Sequence, residues 1–411
     1  MSSPRAWLSR EPAPALRYAL STAAILASIY SAVLGSASHL VSENTAVSAA
    51  LAAHLVPYNS EYLVREAGWD VKARTALLQR AVAFNPFDTN AWIDLGFDAE
   101  VRHGDVKSAE KYFLNAAAAN HMFLPKWTLT NFYFRRDELR PFLRWANQTL
   151  AITPYSATPV FSEMWLLDPN AADIDGVIPD LPNTLWQYAW FLKNARQWTA
   201  IPRVVARLVA AAGGVNPETY GKTTILGPIL DELLANGYPN EALQVWRSLS
   251  AARWIQLPAP TAERPLVNAA FSVPFWGHGF DWFPSGVSGV AMEQNIESHT
   301  VQFELSGDEP EHCTLLQHWL LLEPGRRYRL SWNATLVQLQ SPSGLSWHVR
   351  RVKQQTPGSP DLLDKAQSIW TFDAPEGDGL ALLTLEYARP LGQTRAKGHL
   401  SLTQVSLLGI G

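Results

Sequence analysis

The densest set of side chains suited to recognition chemistry is the run Phe275-Trp276-Gly277-His278-Gly279-Phe280-Asp281-Trp282-Phe283. A sugar presents an apolar face and a hydroxyl edge, so a site for it needs aromatic platforms beside a few donors and acceptors. Trp276, Phe280 and Trp282 can stack, His278 and Asp281 can exchange hydrogen bonds, and Trp319 is a further candidate wall. The same run also reads as sandwich core, because strand aromatics at period two commonly face inward. A basic group, Arg326, Arg327, Arg329, Arg350, Arg351 and Lys353, reads as a solvated strand face or, for an anionic polysaccharide, as a binding patch.

Catalytic motifs are absent. There is no G-x-x-x-x-G-K-[ST] loop, no G-x-G-x-x-G after a strand and no H-E-x-x-H, and Gly286-Val287-Ser288-Gly289 stops short of a nucleophile elbow. Asp281 with Glu293 is the pair of carboxylates a glycosidase reading would choose. The expected catalytic set is empty and the chain reads as non-enzymatic. The single cysteine, Cys313, excludes an intramolecular disulfide and a cysteine-based metal cluster. With 33 basic and 37 acidic residues there is no bulk electrostatic case for nucleic acid. At 47% hydrophobic and 17% charged, the 411-residue chain is a folded protein of two or three domains.

The elements that must position these groups begin with Tyr18–Ala37, an uncharged stretch long enough to cross a hydrocarbon core as a helix. Arg5, Arg10 and Arg17 precede it, and no further Lys or Arg occurs until Arg65. That asymmetry predicts residues 1–17 in the cytoplasm, a membrane anchor or signal segment over 18–40, and the bulk of the chain on the far side, in the periplasm of a bacterium. Gly35-Ser36-Ala37 leaves a cleaved signal peptide open, and a buried first helix of a soluble domain is the third reading.

From 45 to 257 the pattern is paired helices. Asn85-Pro86 and Thr153-Pro154 lie 68 residues apart, twice a 34-residue helix–turn–helix period. Trp92-x-x-Leu95-Gly96, the turn Gly104-Asp105 and Ala109-x-x-x-Phe113 mark one unit, and Gly237, Ala242 and Trp246 repeat the spacing. On these residues the segment resembles the tetratricopeptide (TPR) family. Ala99 stands where the family has Tyr, and the stretch Asp168–Pro182 reads as an irregular crossing loop. The resemblance implies an α-solenoid whose concave side holds a protein partner, with Trp127, Trp145, Trp186, Trp190 and Trp198 as packing.

Prolines at 258, 260 and 265 mark a linker (258–265), after which the apolar period changes from helical to alternating. Val301, Phe303 and Leu305, then Tyr328, Leu330, Trp332 and Ala334, then Leu345, Trp347 and Val349, then Leu383, Leu385 and Tyr387 predict antiparallel strands over 266–411. The ends Leu266-Val267-Asn268-Ala269-Ala270-Phe271-Ser272 and Leu402-Thr403-Gln404-Val405-Ser406-Leu407 are similar to carbohydrate-binding-module jelly rolls of the galactose-binding type. That resemblance implies a glycan ligand and, in many such modules, a structural calcium. Here Ser272, Thr403 and Gln404 replace the usual acidic ligands, so no cofactor is expected.

The expectation is therefore an α + β multidomain chain: a transmembrane helix, a TPR-like solenoid and an antiparallel β-sandwich. Its partners would be a protein on the solenoid, a polysaccharide on the sandwich and the membrane. Accessory factors of exopolysaccharide assembly have this kind of architecture; a pure interaction scaffold with a structural β cap is the alternative.

Overall fold

The computed structural model describes residues 14–213, 223–339, 341–351, 354–355, 358–362, 368–377 and 379–410. Arg5, Arg10 and Lys353 lie outside the described residues. The chain divides into two compact units, one of residues 1–155 with 163–169, the other of 156–162 with 170–411.

The first unit is a series of consecutively packed helices: α1 (Pro14–Ser42), α2 (Ala46–Leu55), α3 (Ser60–Trp69), α4 (Arg74–Phe84), α5 (Thr89–Phe97), α6 (Val106–Ala119), α7 (Phe123–Phe134) and α8 (Leu139–Leu150). A single π-turn, Asp98–Arg102, extends α5. Starts are set by side chains that accept otherwise unpaired backbone N–H groups. Thr45 and Ser48 form a capping box, and Asn59, Asp88 and Asp105 cap α3, α5 and α6. Gly96 is required by close approach, since a Cβ there would stand 2.2 Å from the Phe113 ring. Phe113 itself is fully buried beside Phe132. The sequence pairing of Leu95-Gly96 with Ala109-x-x-x-Phe113 is thus a packing contact between two helices.

α1 is the one helix of the described residues long and apolar enough to span a membrane, over Ala15–Ser42. Its last third is not free: Val33, Leu34, Ala37, Leu40 and Val41 pack into the core formed with α2–α5.

α9 (Thr158–Leu167) is shared between the two units. The second unit then carries, among the described residues, α10 (Ala171–Asp175), α11 (Pro182–Asn194), α12 (Ile201–Ala211), α13 (Thr223–Ala235), α14 (Pro239–Ala251) and ten strands. The strands are β1 (Trp282–Pro284), β2 (Val290–Asn295), β3 (Thr300–Ser306), β4 (His312–Leu321), β5 (Arg327–Val337), β6 (Leu345–Arg351), β7 (Gln354–Gln355), β8 (Ile369–Asp373), β9 (Leu380–Ala388) and β10 (Lys397–Ile410). They form two antiparallel sheets, ordered β1-β4-β9-β6-β7 and β2-β3-β10-β5-β8. The alternating residues of β3, β5, β6 and β9 face one shared core that includes Trp282, Trp332 and Trp347. The C-terminal region is therefore sandwich-like. Residues 258–265 are irregular, as a linker would be, yet the compact division falls near 155–170. The reason is that α13 and α14 are fastened to the sandwich by the aromatic run.

Candidate functional site

The run Phe275–Phe283 is a loop leading into β1, held by two hydrogen-bond hubs. Asp281, fully buried, accepts the Trp276 N–H at 2.5 Å and the Asn268 side-chain amide at 3.3 Å. Burial pushes its carboxyl up to about 6, against the backbone donors that favour the charged form. Gln294 is the second hub: its amide donates to the carbonyls of Phe271 and Val273 and its oxygen accepts the Phe275 N–H. Gly277 and Gly279, at φ of 73° and 62°, make the two tight reversals between them.

The loop is aimed at the helices. Phe280 and Trp276 meet the Trp246 ring of α14 at centroid distances of 5.7 and 5.8 Å. His278 Nδ1 lies 2.6 Å from Asp231 of α13, and the Gly279 N–H donates to the other oxygen of the same carboxylate at 2.8 Å. Trp246 is fully buried and its indole N–H donates to the Pro258 carbonyl at 2.9 Å. A Cβ on Gly227 would strike the His278 ring and one on Gly279 would strike Trp246, so backbone and side chain close on each other across this joint.

This geometry distributes the candidate sugar residues among different roles. Phe280, Asp281 and Trp282 are fully buried and offer no face to a ligand. Trp282 packs against Phe271, His318 and Trp347 and donates its indole N–H to the Asn268 carbonyl. Trp276 and His278 are half-buried with one side used against Trp246 and Asp231. Trp319 is half-buried on β4, on the face opposite His318, which pairs in register with Trp282. Trp276, Trp282 and Trp319 therefore do not line one surface. Glu293 is exposed on β2 while Asp281 is interior, so these two carboxylates do not face each other across a cleft.

Ser272, Thr403 and Gln404 are exposed, and the β10–β5 register shifts between Leu402 and Gln404. Among the described residues no group of three or more His, Cys, Asp or Glu is placed to hold a metal ion. Of the basic group, Arg326 pairs with Glu323, Arg327 with Asp373 and Arg350 with Glu386, at 2.9, 2.8 and 2.5 Å.

That last pair belongs to a cluster the sequence did not suggest. Glu386, buried on the outward-facing side of β9, also lies 3.2 Å from His312 Nε2 and accepts the Thr384 hydroxyl at 2.6 Å. His348, held below the usual histidine range by burial, stands 3.0 Å from the Ser346 hydroxyl. The only sequence signal was the polar alternation of β6 and β9, which does not distinguish a solvated face from a clustered one. The arrangement neutralises a buried carboxylate with Arg350.

In the first unit a groove of about 1110 Å³ runs along α3 and α5 to the start of α7. Its walls include Asn59, Asn85, Asn90 and Asn120, with Arg65 and Asp94. Burial raises the Asp94 carboxyl, opposed by the nearby Arg74. No protein-family model matches this chain, and no curated protein matches its sequence.

Proposed function

We propose that the chain is a non-enzymatic, membrane-anchored interaction scaffold in which the TPR-like helices hold a protein partner and the jelly-roll-like sandwich caps the final helix pair. The observation that carries this reading is the use of Phe275–Phe283 as a joint. Trp276, His278 and Phe280 are committed to Trp246 and Asp231, while the groove beside α3 and α5 presents the amide of Asn90 among Arg65, Trp69 and Met122. An amide side chain offers both a donor and an acceptor, which suits the unpaired backbone of an extended polypeptide. The charge asymmetry around α1 supports an exported location, and exopolysaccharide assembly stays the setting suggested by resemblance.

The test is site-specific photocrosslinking of the full chain in cells. A photoreactive residue at Asn120 is expected to capture a polypeptide, and Asn90→Ala, at a groove position that caps no helix, to weaken capture with unchanged far-UV circular dichroism. Capture only from the sandwich surface at Trp319, or retention of the full chain by a glycan array lost on Trp319→Ala, would return the function to the β domain.

A further inference from the structure

Successive helices of the first unit run up and down, so its turns fall on two opposite edges. Contacts between turns fix which lies where. On one edge Arg102 donates to the Val71 carbonyl at 3.0 Å, and Arg135 pairs with Glu100 at 2.7 Å. On the other, Asn85 donates to the Ser60 hydroxyl, Phe123 meets Tyr155 edge-on, and the Tyr58 phenol stands near that of Tyr30. Tyr30 lies in α1, so this second edge is the one from which the anchor helix enters.

The two edges differ in chemistry. The edge away from the anchor carries Glu43 in its first turn, Asp70 and Lys72 in the next, then Arg102 and Asp105, then the run Arg135-Arg136-Asp137-Glu138. The anchor-side turns are Val56-Pro57-Tyr58-Asn59, Asn85-Pro86-Phe87-Asp88, Asn120-His121-Met122 and Ala151-Ile152-Thr153-Pro154-Tyr155, with Asp88, a helix cap, as their one carboxylate and no Lys or Arg. Each of these turns lifts at least one large apolar side chain into the open: Tyr58 is 50% exposed, Phe87 77%, Met122 70% and Tyr155 68%. The row continues onto Leu55, at the end of α2 that adjoins these turns.

The length of α1 brings this edge to the bilayer. A hydrocarbon core about 30 Å thick takes about 20 helical residues. Counted from Tyr18, the residue after Arg17, that span ends at Ala37, which is already fully buried in the helical core. Tyr30, level with the anchor-side turns, is only about 20 Å along the helix from Arg17. No spacer remains with which to hold the unit away from the membrane.

We infer that the anchor-side edge of the helical unit, Tyr58, Phe87, Met122 and Tyr155 with Leu55 at the adjoining end of α2, is a membrane-contact surface seated in the headgroup–acyl boundary of the leaflet on the exported side. This rests on the reading of α1 as a spanning anchor. Aromatic side chains are favoured at that depth, and the charged groups at this edge, Asp88, Glu61 and the Arg80 guanidinium on the Pro57 carbonyl, can reach the headgroups. The groove opens beside Phe87 and Met122 on this edge, so a partner segment would be engaged next to the bilayer.

The experiment uses the full-length chain in phosphatidylcholine–phosphatidylglycerol vesicles, with Cys313→Ala and single cysteines carrying an environment-sensitive fluorophore. Phe87→Cys and Met122→Cys report the proposed surface, Val71→Cys the opposite edge and Ile25→Cys the anchor. Nitroxides carried shallowly on lipid chains are expected to quench the labels at 87 and 122 at least twofold and to leave the label at 71 unquenched. Quenching at 25 with none at 87 and 122 overturns the inference and leaves the anchor standing. Absence of quenching at 25 overturns the anchor, and the inference with it.

Discussion

Replacing Trp246 by alanine tests whether the aromatic run is a structural joint. The side chain is fully buried, packs on the rings of Trp276 and Phe280, and donates to the Pro258 carbonyl at 2.9 Å. Truncating a buried aromatic to alanine costs about 3–5 kcal/mol in lost transfer energy and cavity. The unmatched Pro258 carbonyl accounts for about 1 kcal/mol within that range. A loss of about 4 kcal/mol is a large share of the roughly 5–15 kcal/mol that holds a domain folded. Urea unfolding of the full chain in detergent micelles, followed by hydrogen exchange with mass spectrometry, reads both size and location. Protection should fall together in α14 and in residues 276–284, although they are far apart in sequence, while α5 and α6 keep theirs. Trp246→Phe, which keeps a ring but loses the indole donor, should show about 1–2 kcal/mol of the effect. A loss below about 1 kcal/mol for alanine, or faster exchange in α14 with residues 276–284 unchanged, would refute the coupling.

Other expectations follow from the same geometry. Gly279→Ala places a Cβ 2.8 Å from the Trp246 ring at a φ of 62°, whereas Gly104→Ala meets open space at a φ of 65°. Both incur the left-handed backbone cost of about 1 kcal/mol, but only Gly279→Ala adds a clash, so its unfolding midpoint should fall further. Two buried groups give the second unit opposing pH responses. Burial holds His318 down at about 4 while its Nε2 faces the Val267 carbonyl at 3.1 Å. Its stabilising contribution is complete above the unfolded value near 6.5 and is lost as pH falls through 4. Asp281, raised to about 6, contributes stability that is complete below the unfolded value of 3.8 and is lost as pH rises through 6. Asp281→Asn should therefore become less stable as pH drops from 6.5 to 4, and His318→Gln more stable over 6 to 4. Urea midpoints measured across that range check both signs, and parallel profiles for the two variants would contradict the assignment. Arg102→Ala removes the donor to the Val71 carbonyl on a half-exposed side chain, so a change of no more than about 1 kcal/mol is expected in the same unfolding assay.

Much of the architecture was legible because it depends on local periodicity. The uncharged stretch 18–37 reads directly as a helix able to span a membrane, since that property is a sum over neighbouring residues. The closure of the Phe113 ring on Gly96 itself was decided by packing, whereas the pairing of the helices that carry Leu95-Gly96 and Ala109-x-x-x-Phe113 was legible from their spacing. The strand alternation of Val301-x-Phe303-x-Leu305 and Leu345-x-Trp347-x-Val349 marked the inward faces for the same reason. The cluster around Glu386 was hidden, since His312, His348 and Arg350 reach it only through strand register.

What the sequence determined by itself was therefore the inventory: an anchor-length helix, paired helices, alternating strands and an aromatic run able to stack on something. Tertiary structure alone decided what that something is. Asp231 and His278 are 47 residues apart, and no local pattern says that one will close on the other at 2.6 Å. Period-two aromatics carry the same apolar surface whether they meet a sugar or a helix, and burial depends on which surface arrives first in the fold. Here α13 and α14 arrive, and Trp246 occupies the face on which a ligand would have stacked.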